Sequence, residues 1–321
     1  MAQKETPFSA ESLATDTDNG DQLERRLERY SIAKKRSFLM SQYIFNVPDV
    51  NVSSDIDLQD KAYKLLKCGA WLHFKNYYTT NEYRLVDANF CKQHLLCPFC
   101  AIRRGSKHLG IYHQKYLQLI EENPRLKPYL VTLTVKNGSN LFERFNHIKK
   151  SFKILQTQRS NSLKGNRSKV EFSKAFAAVW SYENKRGEGS GLWHPHSHGL
   201  WLCEEEPDLL RLRNEWHSIT GDSFMVDCRP VTSEGGFIEV FKYALKFSNL
   251  PLEDNLEAYK VLSGKKLLGS CGGFRGLPEP EKLTDDELDS LPFVDLFFKY
   301  LSSGRYGKTD SSVKEQDFKN F

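Results

Sequence analysis

The segment Trp193-His194-Pro195-His196-Ser197-His198-Gly199-Leu200-Trp201-Leu202 sets three imidazoles at alternate positions. In an extended strand, side chains at i, i+2 and i+4 share one face. His194, His196 and His198 would then line up with Leu200 and Leu202. Imidazoles at that spacing can hold a metal ion, and three of the nine histidines in the chain fall within this short run. The plainer alternative is a surface strand that happens to be rich in histidine.

A second cluster is made of thiols. Four of the seven cysteines, Cys68, Cys91, Cys97 and Cys100, lie close together in the sequence. Cys97-Pro98-Phe99-Cys100 spaces two sulfurs so that both reach a tetrahedral ion at about 2.3 Å. Cys68 and Cys91 are the best candidates for the other two places, with His94 competing for one. Four thiolates leave no open coordination position, so such a site would be structural zinc. The alternatives are reduced structural cysteines and a thioredoxin-like redox pair. The redox pair fits less well, because two further cysteines stand nearby and no strand directly precedes the motif.

The third candidate lies in Phe237 to Phe247, which reads as a helix. Glu239, Tyr243 and Lys246 fall at i, i+4 and i+7 and share one face, while Ile238, Val240, Phe241 and Leu245 take the core-facing sides. A tyrosine in such a helix is ordinarily just amphipathic. The carboxylate and amine on its face raise Tyr243 above that background. Two histidines and a carboxylate hold a divalent ion with open positions, and such an ion polarises a phosphoryl oxygen. A tyrosine held in line can attack the phosphodiester and form a covalent phosphotyrosine. Lys246 would stabilise phosphate or phenolate charge. Glu239 has the chemistry of a general base that activates water.

These groups need a scaffold. Tyr129 to Val135 alternates and is β-rich. Leu141 to Gln158 carries apolar residues at a helical period, at Leu141, Phe145, Ile148, Phe152 and Leu155. Phe176 to Glu183 reads as a second strand, the glycines of 187–191 as a turn, and the histidine segment as a third strand. Pro207 to Ile219 reads as a helix and Ser223 to Val231 as a fourth strand. The β-α-β-β-α-β order predicts an α+β ferredoxin-like core, with helices on one face of an antiparallel sheet. The hairpin brings Glu183 near the histidine strand as a candidate third ligand, in a register where a slip of one residue would turn it away.

Around this core, residues 1–22 are polar and expected to be disordered. Residues 23–60 form a helical or irregular lead-in, 61–124 the zinc-binding segment with its helix, 125–250 the core, and 251–321 a C-terminal region. Within that last region, Leu291 to Leu301 reads as a packed helix that would serve nucleic-acid binding or dimerisation. Arg103, Arg104 and Lys107 open a helix running to about Glu122, where they could meet a phosphate backbone. A solvated helix face explains any one of them equally well. Trp180, Trp193 and Trp201 could stack on bases, with core packing the commoner role. Hydrophobic content of 39%, charged content of 27%, a net charge of +5 and a pI of about 8.7 suit a globular partner of nucleic acid. The sequence has no run apolar enough for a membrane helix and no signal-like start, so a cytoplasmic protein without a membrane partner is expected.

The chain resembles the rolling-circle replication initiators (Rep proteins) of small bacterial plasmids, within the HUH endonuclease superfamily. The resemblance runs from about Cys68 to about Gly276. It rests on the Cys68-Gly69-x-Trp71-Leu72 segment, Asn89-Phe90-Cys91 through Arg104, Leu130 to Val135, His194 to His198, and Glu239-x-x-x-Tyr243-x-x-Lys246. It implies that His196 and His198 are the paired metal ligands with Glu183 at an acidic family position, that Mg²⁺ or Mn²⁺ works there, and that Zn²⁺ is structural. It implies Tyr243 as the nicking nucleophile and Glu239 as the group that ends replication by hydrolysis. Single-stranded or hairpin origin DNA, a host helicase and a DNA polymerase are the implied partners, and a homodimer is compatible with it. Ser197 departs from the bulky apolar residue usual between the histidines, and His194 stands where the family varies. A relaxase or transposase with the same chemistry, or a zinc-dependent DNA-binding regulator without nuclease activity, are the competing readings.

Overall fold

The computed structural model describes residues 22–47, 52–166, 169–232, 234–288 and 290–309. The expectation of disorder for 1–22 falls, apart from Gln22, outside the described residues. The chain forms two compact units, each built from several stretches.

The first unit comprises Met1–Lys107, Pro251–Asn255 and Pro280–Phe321. Helix α1 (Gln22–Asn46) and helix α2 (Val52–Lys67) pack together. Tyr30, Ala33, Ser37, Met40 and Ile44 recur at helical spacing and are buried. Strands β1 (Trp71–Tyr77) and β2 (Glu82–Ala88) follow, and then the first turns of helix α3 (Pro98–Glu122). The run read as a helix over Leu291 to Leu301 is a strand, β8 (Val294–Tyr300), paired antiparallel with β1 and with β9 (Tyr306–Thr309). A short apolar run does not distinguish strand from helix by periodicity. Here the pairing partner decides: Phe297 lies opposite His73 with their rings stacked at 4.3 Å, and Phe298 is buried edge-on to Phe74. The sheet runs β2-β1-β8-β9.

The second unit comprises His108–Leu250 and Leu256–Glu279, so residues 251–321 are shared between both units. Its elements are β3 (Lys127–Thr134), α4 (Leu141–Leu163), a 3-10 turn (Glu171–Lys174), β4 (Ala175–Arg186), β5 (Trp193–Cys203), α5 (Leu209–Thr220) and β6 (Val226–Pro230). Then come α6 (Glu234–Phe241), α7 (Tyr243–Phe247), α8 (Leu252–Leu262, divided between the units) and β7 (Leu268–Gly272). The antiparallel sheet runs β6-β3-β5-β4-β7. The β-α-β-β-α-β succession is as the sequence predicts, and β7 adds an edge strand beyond it. Asn140 caps α4 by accepting from the Glu143 amide, and Asp208 caps α5 by accepting from Arg211, which fixes where both helices start. Helix α4 buries Leu141, Phe145, Ile148, Phe152 and Leu155, the five residues its periodicity selects. Phe145 and Phe152 meet Tyr182 and Trp180 of β4. Strand β7 lies so close to β4 that a Cβ at Gly272, which holds φ +61, would sit 1.9 Å from the Phe176 carbonyl oxygen.

Trp180, Trp193 and Trp201 are all buried, which removes them as stacking platforms for bases. Trp193 donates to Glu257 (3.0 Å) with the Arg186 guanidinium 3.9 Å over its ring, and Trp201 stacks on Phe172. Arg103 is likewise corrected. It is 1% exposed, donates to the Leu283 carbonyl (2.7 Å) and pairs with Asp285 (2.5 Å). Arg26 pairs with the other oxygen of that carboxylate at 2.9 Å. A buried guanidinium needs such a partner, and so Arg103 holds the first unit together instead of meeting phosphates. Lys107 keeps a partly exposed position beside Asp286 (3.2 Å).

Burial alone would raise the Asp285 carboxyl, but Arg103 and Arg26 overcome it and hold the group well below the usual carboxylate range. Its stabilisation is therefore complete above the unfolded value of about 3.9 and is lost as pH falls further toward the folded value. Urea unfolding should show Asp285→Asn and Arg103→Ala each destabilised by about 3–5 kcal/mol at neutral pH. The gap between wild type and Asp285→Asn should narrow below about pH 4. A gap that stays constant down to pH 3 would contradict this account.

Candidate functional site

The β4–β5 hairpin sets the first constellation. Its register pairs Glu183 with His196 and Ser181 with His198, and the turn between the strands passes Gly189 and Gly191 at positive φ. Residues paired across an antiparallel ladder share a face. Glu183, His196 and His198 therefore stand together, on the side opposite to Trp180, Tyr182 and helix α4. One ligand atom from each of the three lies within 4.8 Å of the others.

The bonds around the trio aim it inward. His198 Nδ1 lies 3.0 Å from the Thr132 hydroxyl, and His196 Nδ1 lies 3.2 Å from the His194 carbonyl oxygen. Both Nε2 atoms then face the same Glu183 oxygen, at 3.2 Å and 3.6 Å. Glu183 is 2% exposed, and its second oxygen, Oε1, is buried without a hydrogen-bond partner. Burial pushes the Glu183 carboxyl up, but His196 and His198 pull harder and hold it well below the usual range. A buried carboxylate with an unpartnered oxygen, facing two imidazoles whose outer nitrogens are already engaged, is a donor set that fits a divalent cation.

Helices α6 and α7 cover this face and bring the charged groups. Lys246 Nζ stands 3.5 Å from Glu183 and 3.5 Å from Glu239, and Glu239 lies 3.8 Å from His198 Nε2. Burial lowers the Lys246 pKa, but Glu183 and Glu239 outweigh it and raise the value overall. The single helix read over Phe237 to Phe247 begins three residues earlier and is interrupted at Lys242. The Lys242 carbonyl still accepts from the Lys246 amide (3.3 Å), so the chain keeps its turn and Glu239 and Lys246 stay on one side. Lys242 itself pairs with Glu239. Tyr243 opens α7 and is 4% exposed. Ile238, Val240 and Phe241 are buried, with Phe241 against Tyr112 at 5.2 Å.

His194 stands apart from the ligand trio, with Nδ1 2.5 Å from the Asn137 amide oxygen, and burial pushes its pKa down to about 4. Sequence reasoning passed over Thr132 and Lys242. Thr132 was findable once β3 was known to pair with β5, because it lies opposite His198. Lys242 sits three residues beyond Glu239, within reach on a helix.

The second constellation is closed. Sulfurs of Cys68, Cys97, Cys100 and Cys91 stand 3.5, 3.6 and 3.7 Å apart along the chain of contacts Cys97–Cys68–Cys100–Cys91. Sulfurs bound tetrahedrally at about 2.3 Å would be about 3.8 Å apart, so the set is sized for one ion. The four sulfurs form the group, which excludes His94 from it, and burial pushes the His94 pKa down to about 4. Cys97 precedes α3 with Pro98 at its first position, and the Cys100 amide donates to the Cys97 sulfur at 3.5 Å. This sulfur does the work of a helix cap and takes up the positive end of the helix dipole. Its neighbours complete the shell: the Ser37 hydroxyl lies 3.3 Å from Cys97 Sγ, and the Cys91 amide donates to Cys68 Sγ at 3.4 Å. Lys34 is buried close by and donates to the Leu66 carbonyl at 2.5 Å; burial lowers its pKa while Cys68, Cys97 and Cys91 act to raise it. Burial and the three other sulfurs push the Cys100 thiol well up. Four thiols packed this closely do not ionise together without a cation among them.

A family model described as Replication protein matches residues 82–294. A "Protein rep" of Bacillus sp is 33% identical over 271 residues, which cover 71% of this chain and 82% of that one. Another, from Streptococcus pneumoniae serotype 2 (strain D39 / NCTC 7466), is 27% identical over 232 residues, 66% of this chain and 69% of its own. A third, from Bacillus amyloliquefaciens, is 28% identical over 251 residues, 73% of this chain and 66% of its own. No solved structure matches the chain at a significant level.

Elemental analysis of the purified protein should find one tightly bound metal per chain at the four cysteines. Cys97→Ser should lose it together with a cooperative thermal transition, since metal binding and folding are coupled in such sites. Retention of full metal content by Cys97→Ser would remove this cysteine from the ligand set.

Proposed function

The chain belongs to the Replication protein (Rep) family, and from that premise we propose that it initiates replication of a small plasmid by nicking one strand of origin DNA. The observation that carries the reading is Lys246, whose ammonium stands 3.5 Å from both Glu183 and Glu239. That contact ties the helical segment bearing Tyr243 to the face bearing the Glu183, His196 and His198 trio.

Mg²⁺ or Mn²⁺ held by Glu183, His196 and His198 would polarise an oxygen of the scissile phosphate. Tyr243 Oη attacks the phosphorus and forms an O–P bond, and the bond from phosphorus to the 3′ oxygen breaks. The phenol gives up a proton and the departing 3′ oxygen takes one up, so a 5′-phosphotyrosine and a 3′ hydroxyl result. One phosphodiester replaces another, so no energy source is consumed, and the 3′ hydroxyl can prime synthesis. Lys246 offsets charge that develops on phosphate or phenolate. Because Tyr243 is 4% exposed, its ring must swing out of α7 for the phenol to meet a phosphate. Glu239, held by Lys242 and Lys246, acts later as the base that draws a proton from water to hydrolyse the covalent link. Zn²⁺ at the four cysteines is structural. The reading puts the protein in the bacterial cytoplasm, with origin DNA as partner and a host helicase and polymerase acting after the nick. Among the described residues no helix is long and apolar enough to cross a membrane.

Incubation with a single-stranded origin oligonucleotide and Mn²⁺ should give a covalent protein–DNA adduct on a denaturing gel. Tyr243→Phe and the double variant His196→Ala, His198→Ala should give none. A Tyr243→Phe protein that nicks at the wild-type rate would sink the mechanism. Glu239→Ala should still form the adduct but release it by hydrolysis about 10²–10⁴-fold more slowly. Normal release by that variant would remove Glu239 as the base.

A further inference from the structure

Beside the cysteine cluster, within the first unit, a groove of about 410 Å³ opens between the last turn of α2 and the loop that follows β2. Tyr63, Lys64 and Lys67 line it from the helix, and Asn89, Phe90 and Lys92 line it from the loop. The polar and aromatic groups are arranged as a nucleotide would need them. Tyr63 is 50% exposed, and the Lys67 ammonium lies 4.4 Å from its ring centroid, over one face. Phe90 is stacked on Phe99 at 5.3 Å with planes 6° apart, which gives the loop a rigid floor. The one carboxylate on the lining, Asp60, is paired with Lys64 at 2.5 Å, and Cys68 and Cys91 also border the groove, so Lys67 and Lys92 are the cations left to meet a phosphate.

Lysines in the last turn of a helix complement its dipole, and that accounts for Lys64 and Lys67. It does not account for Lys92, which comes from another element. Lys92 is exposed and holds φ +59, a left-handed conformation that costs a non-glycine residue free energy and concentrates at binding sites. Lys92 also lines a second small groove with Arg104, where Glu281 adds a carboxylate.

We propose that this groove binds an unpaired nucleotide of origin DNA, with the base against Tyr63 and the phosphates on its two sides at Lys67 and Lys92. Aromatic stacking with adjacent cations is the mode by which proteins hold single strands. The cysteine cluster then has a second purpose, because its ion would fix the Lys92 loop relative to α2. The proposal rests on the origin-nicking reading only for the identity of the DNA.

The test is fluorescence anisotropy of the full-length protein with a labelled single-stranded origin oligonucleotide, titrated over a range of salt. Lys67→Gln combined with Lys92→Asn, the latter chosen because asparagine tolerates the left-handed conformation, should raise Kd about tenfold or more. The same pair should reduce the slope of log K against log salt by about 1.4, or ~0.7 per phosphate contact. Tyr63→Leu should weaken binding about 5-fold or more while leaving the salt slope unaltered, a split that a purely structural role would not give. Metal content and circular dichroism identify any variant that fails to fold; Lys92→Asn alone, with an expected slope change of about 0.7, then stands in for the pair. Unaltered Kd and slope in folded variants would overturn the proposal, as would a loss confined to blunt duplex DNA. A wild-type protein that binds the oligonucleotide in this way yet forms no adduct would sink the nicking reading and leave the groove assignment standing.

Discussion

The register of the β4–β5 hairpin is the constraint on which the second unit depends. Glu183 and Tyr182 are adjacent and must point to opposite faces of the sheet. Tyr182 and Trp180 fill the space against Phe145 and Phe152 of α4. A slip of one residue would drive the Glu183 carboxylate in among those rings with no partner, at a cost of several kcal/mol, and would lift the aromatics into the polar face. Ordinary core packing on one face of the sheet therefore fixes the ligand trio on the other.

Charge then positions what packing alone does not. Glu183 is ionised although buried, because two imidazoles and the Lys246 ammonium converge on it. Lys246 and Lys242 in turn hold Glu239, and the Lys246–Glu183 pair latches α6 and α7 to the sheet. The interruption at Lys242 sits between Glu239 and Tyr243. A short helix such as α7 has few backbone bonds to lose if Tyr243 is to turn outward.

The cysteine cluster follows the opposite logic. Its four sulfurs would fill every coordination position of one ion, and its surroundings are built from the first unit's own elements: Ser37 and Lys34 from α1, the helix start at Pro98, and the Lys92 loop. The ion would act there as a structural fastener. Arg26, Arg103 and Asp285 fasten the same unit elsewhere, by a buried ion-pair triad.

Much of the site was legible in the sequence. The alternation of histidines, the Cys-x-x-Cys spacing and the helical periods of Leu141 to Leu155 and Glu239 to Lys246 are local patterns, and local patterns survive into the structure because they follow backbone geometry. Arg103 and the strand at Val294–Tyr300 were not legible. Whether an arginine meets phosphate or a buried carboxylate far along the chain depends on what folds over it, and Asp285 is distant in sequence. Whether an apolar run becomes helix or strand depends on a free edge to pair with, and β1 supplied one. The sequence by itself determined which residues could do chemistry and on which face of their own element they lie. Only the tertiary structure decided which of them meet, because pairing register and burial are set by contacts between segments that the chain brings together only on folding.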